Sequence, residues 1–391
     1  MLNHFPLASH LAKQRADNRY RKLVSVEKGV TPTITLDGKD YVNFASNDYL
    51  GLANAPALVQ HFQDGMEKIA QIGSGASHLI TGHGVWHDSL AKSLAQATGF
   101  EAALTFSTGY MANVGVIQAL ANKDTVIFSD KLNHASIVDG AILSRAKVVR
   151  FNHRDYDQLE ALLRQHTAPQ KLIITDHIFS MDGTIADLSI LQKLAENHAC
   201  ALMVDDAHGF GLPYQAYSPF QLPFATPQAD IYVGTFGKAI GTSGAFVAGS
   251  SELIDYLINF SRPYIYTTAL PPVLAYVTEA SVKLTQTDSS RADRLLANID
   301  HLVTGLSVQG WQVGMGHAPC QTAIIPVLVG ENALAIKLAE TLKSAGFWVS
   351  AIRPPTVPVG MARLRFCVSA NHTSEHIDDV LAMMKLSRQK L

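Results

Sequence analysis

ALMVDDAHG, residues 201–209, and IYVGTFGK, residues 231–238, decide the fold of this chain. Each begins with an apolar run that has no polar face, then breaks into small, polar and charged residues. Strands apolar on both faces lie inside sheets covered by helices on both sides. Five more short apolar runs occur at 102–106, 125–128, 147–151, 171–175 and 244–248, and several of the seven are apolar on both faces. Helical patterns lie between many of them, for example Leu188–Asn197. This cadence of strand and helix predicts an α/β fold with a large, mainly parallel sheet.

Outward from that centre, residues 5–22 read as an amphipathic helix, with Leu7, Leu11 and Ala12 on one side and Lys13, Arg15 and Arg19 elsewhere. Residues 32–44 alternate around Asp37-Gly38, a hairpin signal. Beyond Pro271-Pro272 a helical region runs to about residue 308. A strand at 323–328, a helix at 333–345, a strand at 361–367 and a last helix capped near Thr373 or Ser374 follow. The expected organisation is an N-terminal helix and hairpin arm (1–45), a large domain (46–270) and a smaller α/β domain (271–391).

Composition narrows the function. The 391 residues are 47% hydrophobic and 16% charged, with a formal net charge of -2. Nothing basic or acidic in excess argues for nucleic acid or an anionic membrane surface. Cys200, Cys320 and Cys367 are far apart and odd in number, which fits neither a disulfide framework nor a metal-ligand spacing. The N-terminus has no apolar signal segment, and no apolar run reaches the length of a membrane span. A cytoplasmic protein is expected.

Ligands of open α/β sheets sit at the carboxyl ends of the strands. Five strand ends here carry groups able to do chemistry: Ser107-Thr108-Gly109-Tyr110, Ser129 to His134, Asp176 to Gly183, Asp205 to Gly209, and Gly234 to Lys238. Lys238 follows an apolar strand and precedes Ala239-Ile240-Gly241. It could be a solvated lysine, but a buried one titrates low enough to be a nucleophile. Asp205 and Asp206 point to opposite faces of their strand, so at most one faces a site and the other should cap a helix or turn. His134 and His208 are two of 16 histidines, and either could be structural. Gly109-Tyr110 opens a helix, where free N–H groups can hold phosphate, although it could be only a tight turn. The glycine-rich stretch 73–84 lacks the Walker lysine and a preceding buried strand, and 241–244 is not GxSxG. Nucleotide hydrolysis and serine hydrolysis are therefore set aside.

At these residues the chain resembles the α-oxoamine synthases, fold-type I enzymes that use pyridoxal 5′-phosphate (PLP). The resemblance runs from about residue 20 to the C-terminus. It is carried by Ser46-Asn47-Asp48-Tyr49-Leu50-Gly51-Leu52, Asn133-His134-Ala135-Ser136, Phe179-Ser180-Met181-Asp182-Gly183, Asp205-Asp206-Ala207-His208-Gly209 and Thr235-Phe236-Gly237-Lys238. It implies a Schiff base on Lys238, which later moves the α-proton. Asp205 is expected on the pyridine nitrogen and His134 stacked on the ring. Ser180, His208 and Thr235 are expected on the phenolic oxygen or phosphate, with Gly109-Tyr110 on the phosphate. Arg21, Asn47 and Thr356 should contact substrate, and Arg365 should anchor the amino-acid carboxylate. The resemblance also implies a homodimer with shared sites, in which Thr267 or Thr268 reaches the neighbour's phosphate.

Within the family, Ile352-Arg353-Pro354-Pro355-Thr356-Val357-Pro358 and Ala362-Arg363-Leu364-Arg365 point to the member that joins L-alanine to a pimeloyl thioester for biotin. The carrier would be CoA or an acyl-carrier protein, and for the latter Arg15, Arg19, Arg21 and Lys22 are candidate contacts. Relatives that use glycine or a longer acyl chain are the alternatives. Many family members have an arginine near His78 and a glutamate–glycine pair where this chain has Asp176-His177. A PLP-binding regulator would need a DNA-binding domain, for which the N-terminal segment is too short.

Overall fold

The computed structural model describes residues 4–17, 19–212, 229–315 and 320–389. Helix α1 (Leu7–Ala16) is followed by an extended stretch and the hairpin β1 (Thr33–Leu36) and β2 (Lys39–Asn43). Then come α2 (Pro56–Ile69), a π-helical turn at His78–Gly82 and α3 (Val85–Thr98). Strand and helix next alternate: β3 (Ala102–Phe106), α4 (Gly109–Leu120), β4 (Thr125–Asp130), α5 (Ala135–Ser144), β5 (Lys147–Phe151), α6 (Tyr156–Gln165), β6 (Gln170–Asp176), α7 (Leu188–Asn197) and β7 (Ala201–Asp205). Two more strands, β8 (Ile231–Thr235) and β9 (Ala245–Gly249), lead to α8 (Ser251–Phe260), α9 (Arg262–Ile265), α10 (Pro272–Thr287) and α11 (Ser290–Val308). The chain ends with β10 (Ile324–Gly330), α12 (Asn332–Ser344), β11 (Phe347–Trp348), β12 (Ser350–Ile352), β13 (Ala362–Cys367) and α13 (Ser374–Arg388).

The large sheet has the order β3-β9-β8-β7-β6-β4-β5. Strands β5, β4, β6, β7 and β8 are parallel, while β9 runs antiparallel between β8 and β3. Its alternation is strict. Ile127, Leu172, Ile174, Met203, Ile231 and Val233 pack on one face with Ala112 and Ile117 of α4 and Ile137 of α5. Val126, Phe128, Ile173, Leu202 and Val204 pack on the other with Leu159 of α6 and Leu191 of α7. A slip of one residue would exchange the two faces, so burial on both sides specifies the register of every central strand. Each such side chain contributes about 1.5–3 kcal/mol on burial.

Helix starts follow local chemistry. Thr108, Asp155, Asp187, Ser250 and Thr373 each accept a backbone N–H of the first turn from their side chains. Gly99 closes α3 with a left-handed φ of 73°.

The helix expected over 5–22 is shorter, Leu7–Ala16, and buries none of its residues. Among the described residues Leu7 and Leu11 remain about half exposed, so little tertiary packing extends the helix. The hairpin turns at Asp37 and Gly38, both at positive φ. It is built into a sheet rather than free: β11 pairs in parallel with β2. The helical region after Pro271 is two helices, separated at Asp288-Ser289. A second antiparallel sheet, β10-β13-β12, backs on α11, α12 and α13 around Leu302, Leu342, Leu364, Phe366 and Val380.

Candidate active site

The strand ends of the large sheet open into one cavity of about 350 Å³. Asn47, Gly109, Tyr110, His134, Ser180, Asp205, His208, Thr235 and Lys238 all line it. These side chains come from separate elements, and the parallel register delivers them to one edge.

Asp205 ends β7 on the face that Met203 shares with α4. That face carries Asn113, whose Nδ2 donates to Asp205 Oδ2 at 2.6 Å and to Ser136 Oγ at 2.9 Å. The N–H of Ala207 donates to Asp205 Oδ1 at 3.0 Å. Asp206 points the other way and is fully buried. It does not cap a turn through its side chain. Its carboxylate pairs with His177 Nδ1 and accepts from the Tyr232 hydroxyl, each at 2.7 Å. An isolated buried carboxylate is expensive, and these two partners are what make it tolerable.

Lys238 follows β8 and faces the cavity. Burial lowers its amine to about 8, against the opposing pull of the Asp205 and Asp176 carboxylates. His134 caps α5, its Nδ1 accepting from the Ser136 N–H. Its own N–H donates to Asp176 Oδ2 at 2.8 Å. Burial pushes the His134 imidazole down, while Asp205 opposes. Asp176 is driven well up, first by burial and then by the neighbouring Asp205 charge. His208 is pushed well down by burial and by the cations of Lys238 and Arg365.

At the opposite wall, α4 begins at Gly109. Thr108 Oγ1 takes the Met111 N–H, and the first two N–H groups of the helix are left at the cavity edge. A Cβ at Gly109 would meet Thr235 Cγ2 at 2.7 Å, so the wall is cut close. The Tyr110 hydroxyl donates to Asp139.

Arg365, on β13, reaches the rim from the second sheet. Its Nε donates to the Ser180 carbonyl at 2.6 Å and its Nη2 to Asn47 Oδ1 at 3.2 Å. The other expected contacts lie outside the cavity lining. Arg21 lines a separate cavity with Arg19, Tyr20 and Pro355, and Thr356 is the next residue along. Thr268 bridges to Ser77, and its carbonyl accepts from Ser107 Oγ at 3.4 Å. Ser107 and Asp176, at two of the strand ends expected to carry chemistry, and Ser136 of the motif at 133–136 also line the cavity, as do Asn113 and Ser243, which no sequence motif marks. For Asn113 a signal exists: it lies four residues after Gly109, one helical turn along the same face.

The arrangement fits PLP. A helix N-terminus with free N–H groups suits a phosphate. A lysine with a lowered pKa suits an aldehyde carbon, and a hydrogen-bonded carboxylate suits a protonated ring nitrogen. All three line one cavity, and His134 lines it with them. Among the described residues no cluster of histidine, cysteine or carboxylate ligands is placed to hold a metal ion. The fold and this cavity define a PLP-dependent transferase of fold type I.

Comparison with known proteins narrows the class. The family model for aminotransferase class I and II matches residues 39–383. An 8-amino-7-oxononanoate synthase of Methylococcus capsulatus is 46% identical, over 96% of this chain and 97% of that protein. One from Cellvibrio japonicus is 45% identical, over 97% and 94%. Among solved structures, Sphingomonas wittichii serine palmitoyltransferase superposes with a TM-score of 0.91 at 29% identity, covering 100% of this chain and 98% of that one. An 8-amino-7-oxononanoate synthase from Francisella tularensis gives 0.76 at 28% identity, covering 90% and 98%. The chain belongs to the class I and II aminotransferase family, in its branch of 8-amino-7-oxononanoate synthases.

Proposed function

We propose that this enzyme condenses L-alanine with a pimeloyl thioester, carried on CoA or an acyl-carrier protein, to give 8-amino-7-oxononanoate, CO2 and the free carrier thiol. Carbon balance fits: alanine keeps two carbons after decarboxylation and the pimeloyl group adds seven, making the nine of the product. The observation that carries the reading is the meeting of Lys238, Asp205, His134 and Arg365 around one cavity in a chain 46% identical to a synthase of that name.

When bound, PLP supplies an electron sink for the charge left on the amino-acid α-carbon. The roles proposed for the residues follow from their placement. Lys238 holds the cofactor and, once released, takes the α-proton with an amine already poised near neutrality. Asp205, fixed by Asn113 and the Ala207 N–H, holds a proton on the ring nitrogen. His134, held neutral by burial, would lie against the ring of bound PLP and polarise the new ketone. Gly109 and Tyr110 at the start of α4 take the phosphate, with Ser180, His208 and Thr235 at the remaining oxygens. Arg365 and Asn47 take the amino-acid carboxylate in a paired geometry suited to guanidinium. Arg21, from the second cavity, and Thr356, next to its lining residue Pro355, would contact the acyl substrate. We place the enzyme in the cytoplasm as a homodimer. No helix of the described residues is long and apolar enough to cross a membrane.

The test is direct. Purified protein given PLP, L-alanine and pimeloyl-CoA should release CO2 and form 8-amino-7-oxononanoate, read by mass spectrometry. Glycine or L-serine turned over in preference to L-alanine would move the assignment to another synthase of the same family.

A further inference from the structure

Behind the cavity lies a hydrogen-bonded chain that the roles above leave unused. Tyr49 is fully buried, and its hydroxyl stands 2.6 Å from His208 Nδ1 and 3.2 Å from Asn47 Oδ1. Arg365 Nη2 donates to the same Asn47 Oδ1 at 3.2 Å. Asn47 Oδ1 accepts only, while His208 Nδ1 can accept in one tautomer. One proton then remains for two neighbours. Of the phenol's two contacts the one to Nδ1 is much the shorter, 2.6 Å against 3.2 Å, and the phenol proton is assigned to it. The short contact is therefore the phenol donating to Nδ1. Asn47 Oδ1 is already served by Arg365, which frees the phenol proton for the imidazole.

We infer that Tyr49 is a positioning residue that fixes His208 as the Nε2–H tautomer on the cavity wall and carries occupancy of the Arg365 anchor to that ring. Neutral His208 with Nδ1 filled from behind has one N–H left, and the ring lines the cavity. A carboxylate on Arg365 draws the guanidinium away from Asn47 Oδ1, which leaves that oxygen freer to compete with His208 for the phenol proton. The inference rests on the reading of Arg365 as the carboxylate anchor.

The experiment is nitrogen NMR of 15N-histidine-labelled holoenzyme, with His208→Asn used to assign the signal. In the wild type, His208 should show an unprotonated Nδ1 and a protonated Nε2, and saturating L-alanine should shift the Nδ1 signal. In Tyr49→Phe the Nδ1 signal should move toward a tautomer mixture and lose its response to L-alanine. The same variant should lose roughly tenfold in kcat/KM for L-alanine, as expected for one buried hydrogen bond. A protonated Nδ1 in the wild type overturns the inference without need of any variant. An unchanged His208 signal in Tyr49→Phe overturns it as well. If L-alanine binding survives Arg365→Ala undiminished, the anchor reading fails instead, while the tautomer result still stands or falls on its own.

Discussion

Lys238 is where burial and chemistry meet most directly. Its amine is lowered to about 8 because the cavity disfavours the ammonium more than Asp205 and Asp176 favour it. Capture of an aldehyde needs the neutral amine, so the rate of PLP uptake by apoenzyme should rise with pH through about 8 and flatten above it. A stopped-flow series checks this, and a rise continuing toward the ordinary lysine value would contradict the depressed pKa. In Lys238→Ala, borohydride should no longer fix PLP to the chain, and turnover should vanish with the far-ultraviolet spectrum unchanged. Asn113 offers a subtler case, since it gives Asp205 its shortest hydrogen bond, 2.6 Å. Asn113→Ala should lower kcat/KM about tenfold, the scale of one hydrogen bond to a charged group, with the melting temperature little moved. Lys238 and Asp205 are legible in sequence because each ends an apolar strand. Their partners are not, because Asn113 and Asp205 are brought together across 92 positions by the packing of α4 on β7.

The elements show the same division between local and distant information. The central strands announce themselves because burial on both faces leaves no polar alternation, and the structure only lengthens them by a residue or two at either end. The direction of β9 is hidden, since an antiparallel strand inside a covered sheet has the same composition as a parallel one. Strands β11 and β12 are too short to carry a period. The turn 179–185 is one of the places where the large sheet meets the β10-β13-β12 sheet. Gly183 there has φ 64°, and a Cβ would come within 2.2 Å of the Ile324 carbonyl oxygen. Next to it, Asp182 accepts from Arg363 Nη1 at 2.5 Å, and the same nitrogen donates to the Met181 carbonyl at 3.2 Å. Arg363 is only 1% exposed. Removing one partner strands the other in a buried site, so Asp182→Ala should cost about 3–5 kcal/mol. Urea denaturation should report this as a lowered midpoint. Loss of L-alanine affinity should accompany it, because Ser180 in the same turn holds Arg365.

At the scale of the whole molecule, the described surface carries apolar side chains that one chain does not cover. Leu23, Ile72, Ile80 and Tyr266 all stand exposed, and α1 buries nothing. Ile80 lies in the π-helical turn that begins after Ser77, the residue bridged to Thr268. Ile80 and Tyr266 thus lie close along the chain to the Ser77–Thr268 bridge, whose threonine is proposed to serve a neighbour's phosphate, and a second copy of the chain is the natural cover for such apolar side chains. This can be tested by mixing two inactive proteins. Lys238→Ala keeps Thr268, and Thr268→Ala keeps Lys238. If each site takes its lysine from one subunit and its threonine from the other, a mixed dimer holds one intact site and one doubly damaged site. Random reassortment makes half of the dimers mixed, so activity should recover to about a quarter of the wild-type site count. If Thr268 serves its own subunit's cavity, to which its carbonyl already connects through Ser107, every site in the mixture carries one lesion and no activity returns. Titrating one variant into the other at fixed total protein separates the two cases. Shared sites give an activity maximum at equal amounts, whereas self-contained sites give a straight line between the two single-variant activities.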